Sequence, residues 1–355
     1  MNPKCQLNVS LQLFFTSLSF FFLPFHAFSQ TPFYEGKTIN VLAGTAAGGS
    51  GDMRLRAAIP FLQKYIPGNP AIVVEYMPGG GGRKAANFVY RTVRPDGLTI
   101  GSMSSGLVPA AVLGETGVLY DLDKLIYLGS ANTGVISVFL TRREVGLDTV
   151  DKLRSAPGLR IGAQSVGHII YTEGRFFAYL LGLKEPRFVT GYSGPEVDLA
   201  LSRGEVDARV SYVDTIPLRA PEWIEKGLVD FHAVIEIPKR PYPHPRFASL
   251  PDLGKFARSE RERGLVAMAR SFKQIAELYV LPPKTPKEHV EILREAMRKT
   301  FGDPEFRKEF KKLTGGDPVS MMPEAQEKAI RDLPRDPEII DLYKKLAGAG
   351  AMPSR

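Results

Sequence analysis

Cysteine is nearly absent from this sequence. Cys5 is the single cysteine among 355 residues, which excludes a disulfide framework and a cysteine-based metal site. The 46 Lys and Arg outnumber the 38 Asp and Glu only slightly, and the formal charge of +8 suits either an anionic partner or a solvated basic surface. The arginines are dispersed and are not interleaved with aromatic residues, so no nucleic-acid partner is predicted. With 44% hydrophobic and 24% charged residues, the composition is that of a globular protein.

Long apolar runs are also scarce, and the longest lies near the N-terminus. Residues 11–25 are mostly apolar and rich in phenylalanine; they follow Lys4 and precede the small residues Ala27 and Ser29. This pattern is typical of a cleaved secretory signal peptide, here residues 1–29. The run is shorter than the ~20 residues of a membrane-spanning helix, so an integral membrane protein is not predicted. An uncleaved N-terminal anchor is the alternative.

The next hundred residues alternate between strand-like and helix-like patterns. The predicted elements are a strand at 38–42, a helix at 52–65, a strand at 72–76, a helix at 83–92 and a strand at 99–103. Glycine-rich loops separate each of the first two strands from the helix that follows it. This order predicts a largely parallel sheet with helices on both faces.

A second alternating block predicts a second sheet. Its strands are expected at 136–141, 160–163, 187–190 and 207–210, and its helices at 166–181 and 195–203. A strand at 231–237 precedes a proline-rich connection and a mostly helical region, of which 287–301 has the clearest apolar stripe. We therefore expect two α/β lobes around a ligand cleft, with a helical C-terminal tail. The expected divisions are lobe 1 at 30–135, lobe 2 at 136–235, and at 236–355 a return to lobe 1 followed by the C-terminal helices.

The loop at residues 44–52 (GTAAGGSGD) joins a strand to a helix, where free backbone N–H groups favour an anion. It contains neither a Walker sequence nor Gly-x-Gly-x-x-Gly. A turn that merely needs positive φ explains its glycines about as well. Asp52 is interpreted most simply as an N-cap, with Arg56 as its partner one turn later.

Further loops are expected at the same edge of the sheets. The run MPGGGG at 77–82 follows the second strand, and Ser104 follows the third. In the second block, the loops at 164–168 and 191–194 again follow strands and precede helices. Ligands of open α/β sheets bind at this edge, so these loops are expected to face each other across the cleft.

Signals for an enzyme are weak. The histidines beyond the signal peptide are scattered, without metal-ligand spacing, and Gly-x-Ser-x-Gly is absent. His168 alone lies on a candidate cleft loop, where contact with a ligand or plain exposure is a better interpretation than catalysis. We therefore expect no catalytic residue, no metal and no cofactor.

Five motifs, taken in order, resemble a known family. They are VLAGTAAGGSGD at 41–52 with Arg56, VVEYMPGGGG at 73–82, AAN at 85–87 with PDGLT at 95–99, GYSG at 191–194, and LSRGEVD at 201–207. Together they resemble the extracytoplasmic solute receptors of tripartite tricarboxylate transporters, the Bug receptors. The similarity extends over essentially the whole chain beyond the signal peptide. It departs from the commonest pattern at Ala46 and Ala47, where the family often has prolines, at Tyr76 in place of asparagine, and at Gly80 in place of alanine.

This resemblance implies a type II periplasmic binding protein, in which two lobes close on a small carboxylate. It implies a periplasmic location, integral membrane transporter subunits as partners and a monomeric receptor. The family's backbone N–H groups on the lobe 1 loops imply ligand contacts here at Ala47, Gly48, Gly49, Ser50, Gly79, Gly80, Gly81 and Gly82. The other candidates, from the cleft loops, are Asp52, Ser104, Ser165, His168, Tyr192 and Ser193. A secreted α/β enzyme using the same cleft, and a receptor that acts as a sensor subunit, are the alternatives.

Overall fold

The computed structural model of the protein describes residues 31–238, 240–275 and 277–355. The predicted signal peptide, residues 1–29, lies outside the described residues. The strands found in the described part of the chain are β1 (Thr38–Ala43), β2 (Ala71–Tyr76), β3 (Thr99–Met103), β4 (Ile126–Gly129), β5 (Ser137–Arg142), β6 (Arg160–Gly162), β7 (Arg187–Val189), β8 (Ala208–Tyr212), β9 (Val229–Ile235) and β10 (Leu278–Leu281).

Helices alternate with these strands and dominate the C-terminal third. They are α1 (Ser50–Tyr65), α2 (Arg83–Arg91), α3 (Leu107–Val112), α4 (Val150–Ser155), α5 (Ile169–Leu181), α6 (Gly194–Ser202), α7 (Ile216–Arg219), α8 (Pro221–Glu225), α9 (Pro245–Ala248), α10 (Glu260–Ile275), α11 (Lys287–Gly302), α12 (Pro304–Thr314), α13 (Pro323–Arg331) and α14 (Pro337–Ala347). None of the helices in the described ranges is both long and apolar enough to cross a membrane.

The first sheet, on which lobe 1 is built, has the strand order β2-β1-β3-β10-β4. β1 pairs in parallel with β2 and β3, whereas β10 runs antiparallel to β3 and β4. Leu278, at the start of β10, pairs with Met103, at the end of β3. The chain entering β10 therefore reaches the edge of the sheet where β1 and β3 end.

The second sheet, on which lobe 2 is built, has the order β7-β6-β8-β5-β9. β6 is parallel to β7 and β8, and β5 is antiparallel to β8 and β9. Each sheet thus contains one reversed strand, β10 or β5, so the sheets are mixed where the sequence predicted largely parallel ones. The two α/β lobes and the helical C-terminal region are confirmed.

Buried apolar side chains join these layers. One cluster packs α1, α11 and α12 against lobe 1, with Phe306 fully buried. Another packs α6 to α9 on lobe 2 around Trp223. The largest cluster is continuous from lobe 1 through α5 to α10 and α14, where the rings of Phe176 and Tyr343 meet edge to face at 4.6 Å. The C-terminal helices are therefore part of the core that supports both lobes.

Candidate functional site

A cavity of about 370 Å³ lies between the two lobes. Its walls are the loops that follow β1, β2 and β3 on one side and those that follow β6 and β7 on the other, with the end of β8 between them. Ten of the sequence-predicted site residues line this cavity: Gly49, Ser50, Gly79, Gly81, Gly82, Ser104, Ser165, His168, Tyr192 and Ser193. The other four do not line it: Ala47, Gly48, Asp52 and Gly80.

Asp52 lies behind the first loop rather than in the cavity. Its side chain is only 2% exposed and accepts hydrogen bonds from the Gly48 N–H at 2.8 Å, from Arg56 Nε at 3.0 Å and from the Tyr76 hydroxyl at 2.6 Å. The N-cap of α1 is Gly49, so the N-cap interpretation of Asp52 is wrong, whereas its pairing with Arg56 is confirmed. Because Asp52 is saturated by these donors, it shapes the loop and has no capacity left for a ligand.

The second glycine loop turns through four consecutive positive φ values, from Gly79 at 132° to Gly82 at 97°. Gly81 and Gly82 are buried, and the Ser104 hydroxyl donates to the Gly81 carbonyl at 3.0 Å. Gly80 is exposed, and a Cβ atom built on it would lie 3.6 Å from Arg83 Cβ, away from the cavity. The loop that the resemblance indicated therefore lines the cavity, but the path of its backbone directs Gly80 outward.

Two helices of lobe 2 begin at the opposite wall. α5 begins at Ile169, three residues later than predicted, because Gly167 adopts a φ of +78° and His168 is the N-cap. α6 begins after Ser193, whose N–H donates to the Glu196 carboxylate in a capping box. The first residues of both helices, Ile169 and Gly194, line the cavity, so the positive ends of α5 and α6 lie beside it, which favours an anion.

Two arginines that the sequence analysis did not select also line the cavity. Arg209 of β8 and Arg219 of α7 both form ion pairs with Asp198 of α6. Burial lowers the pKa of Arg209 below its usual range, whereas Asp198 acts in the opposite direction. Two guanidinium groups share one carboxylate, so this cluster, here called the arginine pole, has a net positive charge. An arginine inside an otherwise apolar strand was the sequence signal that could have identified it.

Glu277 is a further lining residue that sequence reasoning missed. Its Oε1 accepts a hydrogen bond from Arg54 Nη1 at 2.6 Å. It precedes β10, and the antiparallel direction of that strand carries it to the cleft from the C-terminal third of the chain. Glu277 therefore places a carboxylate in the lining of the cavity.

His168 is held as a neutral imidazole. Its Nδ1 accepts the Ile170 N–H at 3.2 Å, so Nε2 carries the ring proton. Burial lowers the pKa of His168 from 6.5 to about 4. Burial also lowers the pKa of His232 to about 4, and its Nε2 lies 2.8 Å from Thr141 Oγ1. Both histidines therefore stay uncharged in the folded protein near neutral pH.

We expect this burial to make the folded state acid-sensitive. Between the ordinary histidine pKa of 6.5 and the lowered pKa of about 4, the unfolded chain binds protons that the folded chain does not. Stability therefore falls as the pH is lowered through this range. The His168→Asn variant keeps a side-chain cap but does not titrate. Its free energy of unfolding, measured with urea, should therefore change with pH in this range by about 1.4 kcal/mol per pH unit less than that of the unmodified protein. An unchanged slope would contradict the buried, neutral assignment; above about pH 7 the two stability curves should run parallel.

The described residues contain no group of three or more His, Cys, Asp or Glu side chains that could hold a metal ion. What the cavity offers instead is a positive pole beside two helix N-termini, a glycine-rich wall and one paired carboxylate. This arrangement can hold a small anion by hydrogen bonds.

No protein-family model and no curated protein matches this sequence. Solved structures do match it. The periplasmic binding protein BugD superposes with a TM-score of 0.68 at 20% identity, covering 88% of this chain and 98% of that one. MatC from Rhodopseudomonas palustris, with bound malate, gives 0.66 at 19% identity over 88% and 99% of the two chains. A second R. palustris protein, with adipate, gives 0.66 at 18% identity over 88% and 97%.

At these identities the likeness concerns the fold. The chain has the two-lobed architecture of periplasmic binding proteins, and its structural neighbours include BugD, which carries the name of the family that its sequence motifs resemble.

Proposed function

We propose that this protein is a periplasmic receptor that binds a small organic carboxylate and delivers it to a membrane transporter of the tripartite tricarboxylate type. The observation that carries the proposal is the arginine pole. Arg209 and Arg219 share the single carboxylate of Asp198 and face the cavity next to the N-termini of α5 and α6. A carboxylate there would balance the positive charge of the arginine pole and be favoured by the positive ends of the two helices.

The dimensions of the cavity agree with a small ligand. A volume of about 370 Å³ lies at the lower end of the range for small-molecule sites. Two of the structural neighbours contain malate and adipate, which are small dicarboxylates. Their likeness to this chain supports a ligand of similar size.

The proposed receptor performs no chemistry. His168 is the histidine that lines the cavity among the described residues, and its Nδ1 is committed to the N-terminus of α5. Its Nε2 already carries a proton, so the ring can donate to a ligand but cannot act as a base without breaking the cap. This argues against the secreted-enzyme alternative.

The lobes also meet at the mouth of the cleft, as a closing receptor requires. A Cβ atom built on Gly48 of lobe 1 would lie 3.7 Å from Pro195 Cγ of lobe 2, and one built on Gly81 would lie 2.6 Å from the Gly167 carbonyl oxygen. We propose that ligand binding stabilises this contact and that the closed form, as a monomer, is recognised by the integral membrane subunits.

The test is a thermal-shift and calorimetric screen of the protein without residues 1–29. We expect at least one mono-, di- or tricarboxylate to bind, with neutral sugars and polyamines giving no shift. A ligand at a hundredfold excess over Kd stabilises the folded state by about 2.7 kcal/mol, enough to raise Tm by a few degrees. Arg219→Gln should weaken the binding of that carboxylate by about tenfold or more, because a hydrogen bond between charged groups is lost. The ion pair between Asp198 and Arg209 remains in this variant.

Arg203→Gln is the matched control, since this arginine is 69% exposed at the far end of α6. Its affinity should equal that of the unmodified protein. If sugars or polyamines bind and no carboxylate does, the proposed function is refuted. If Arg219→Gln and Arg203→Gln lose the same affinity, the arginine pole does not bind the ligand.

A further inference from the structure

Beside the cavity lies a small extension, lined by charged and polar groups on one part of its wall and by Val135, Ile169 and Phe272 on the rest. The extension has a volume of about 20 Å³ and shares Ser105, Tyr212 and Glu277 with the main cavity. Arg54 and Lys273 complete its polar wall. This volume accommodates one water-sized group and is too small for a carboxylate.

Arg54 has an unused donor at this position. Its side chain is 3% exposed, and Nη1 donates to Glu277, but the buried Nη2 has no hydrogen-bond partner. The guanidinium carbon lies 5.3 Å from the centre of the Tyr212 ring. A buried N–H of a charged group is costly to leave unpaired, and such groups nearly always have a hydrogen-bond partner.

Glu277 supplies the complementary acceptor. Its Oε1 is occupied by Arg54, and Oε2 receives no hydrogen bond from the described part of the chain. The side chain is 23% exposed, and Glu277 belongs to the lining of both the cavity and the extension. A group that contacts both side chains beside their ion pair therefore meets one donor, Arg54 Nη2, and one acceptor, Glu277 Oε2.

Charge decides which group fits. Arg54 is neutralised by Glu277, and Lys273 by Glu173 at 2.7 Å. A second carboxylate in the extension would face the Glu277 carboxylate, and an ammonium group would face Arg54 and Lys273. An uncharged group that both donates and accepts, and that is the size of one water, is a hydroxyl.

We propose that the natural ligand is a carboxylate that also carries a hydroxyl group, and that this hydroxyl lies in the extension, where it contacts both Arg54 Nη2 and Glu277 Oε2. The inference rests on the proposed function, since it requires the carboxylate to bind at the arginine pole. Arg54 and Glu277 are then specificity-determining residues.

The experiment is isothermal titration with matched ligand pairs: succinate and malate, glutarate and 2-hydroxyglutarate, butyrate and 3-hydroxybutyrate. Aspartate and glutamate serve as amino-substituted analogues. We expect at least one hydroxylated ligand to bind about tenfold or more tightly than its unsubstituted partner, because removing the hydroxyl leaves the buried Arg54 Nη2 without a partner. Glu277→Gln and Arg54→Lys should reduce that preference to less than about threefold.

Glu291→Gln is the matched control, since this carboxylate is 63% exposed on α11. It should leave the preference intact. The preference of the unmodified protein is measured first, so the inference can be tested even if a variant fails to fold, and the melting curve of each variant reports its folding.

The remaining outcomes each overturn the inference. If hydroxylated and unsubstituted carboxylates bind equally, the extension holds only a water molecule, and the proposed function still stands. If an amino-substituted analogue binds about tenfold more tightly than the hydroxylated one, the extension selects a cation. If the preference persists in both variants, the hydroxyl lies elsewhere. If no carboxylate binds, the proposed function falls together with the inference.

Discussion

Replacing Gly81 with alanine is expected to weaken ligand binding by about a hundredfold or more. The added Cβ atom would lie 2.6 Å from the carbonyl oxygen and 2.8 Å from the carbonyl carbon of Gly167 in the opposite lobe. Both atoms belong to the backbone, so the contact cannot be relieved by rotating a side chain. A clash of about 3 kcal/mol in the closed form alone corresponds to roughly a hundredfold in affinity.

Gly80→Ala is the matched control for this substitution. Gly80 and Gly81 have similar positive φ values, 55° and 66°, so the backbone strain added by alanine is comparable, at about 1 kcal/mol. A Cβ atom on Gly80 meets nothing closer than 3.6 Å. Titration with the carboxylate found in the screen should show near-normal affinity for Gly80→Ala and loss for Gly81→Ala. Small-angle scattering should show that only Gly81→Ala fails to contract with ligand. Equal affinities would disprove the proposed closure contact.

Lys273→Met is expected to have the largest effect on stability. Lys273 and Glu173 are 6% and 2% exposed and pair at 2.7 Å, and Lys273 also donates to the Ser137 hydroxyl at 2.7 Å. These side chains come from α10, α5 and β5, so the cluster ties the C-terminal helices to lobe 2. Removing the lysine leaves a buried carboxylate unpaired, which typically costs about 3–5 kcal/mol. Urea unfolding measures this loss directly.

The double variant Lys273→Met with Glu173→Leu should recover most of that stability, because an apolar pair of similar volume replaces a broken ion pair. Lys311→Met is the control, since Lys311 and Asp317 are 60% and 45% exposed and such surface pairs contribute at most about 1 kcal/mol. A double variant no more stable than Lys273→Met alone would mean that packing, rather than the unpaired charge, accounts for the loss.

Local sequence patterns predicted the elements that depend on near neighbours. The strands at 38–42, 72–76 and 99–103 and the helix at 287–301 lie within one residue of β1, β2, β3 and α11. Apolar periodicity, and the glycines at which strands and helices end, depend on residues that are near one another in the chain. The structure therefore contains the elements that these patterns predict. β4 and β10 were missed because each is a four-residue apolar run without alternation, which cannot be distinguished from part of a helix.

The same distinction applies to the candidate site. The sequence identified the loops that line the cavity, because a glycine-rich turn between a strand and a helix can be recognised locally. It did not identify which glycine faces the cleft, since the direction of Gly80 and Gly81 depends on four successive positive φ values and on the position of Ser104.

By itself, then, the sequence determined two α/β lobes with glycine loops at their facing edges, because strand and helix periodicity and turn chemistry are encoded in adjacent residues. The tertiary structure decided where the charges of the site lie. Arg209 meets Asp198 and Arg219 only after β8, α6 and α7 pack together. Glu277 reaches Arg54, more than 200 residues earlier in the chain, because β10 inserts antiparallel into the first sheet. Ion pairs between residues so distant in sequence depend on how elements pack, and packing is a property of the whole chain rather than of any segment.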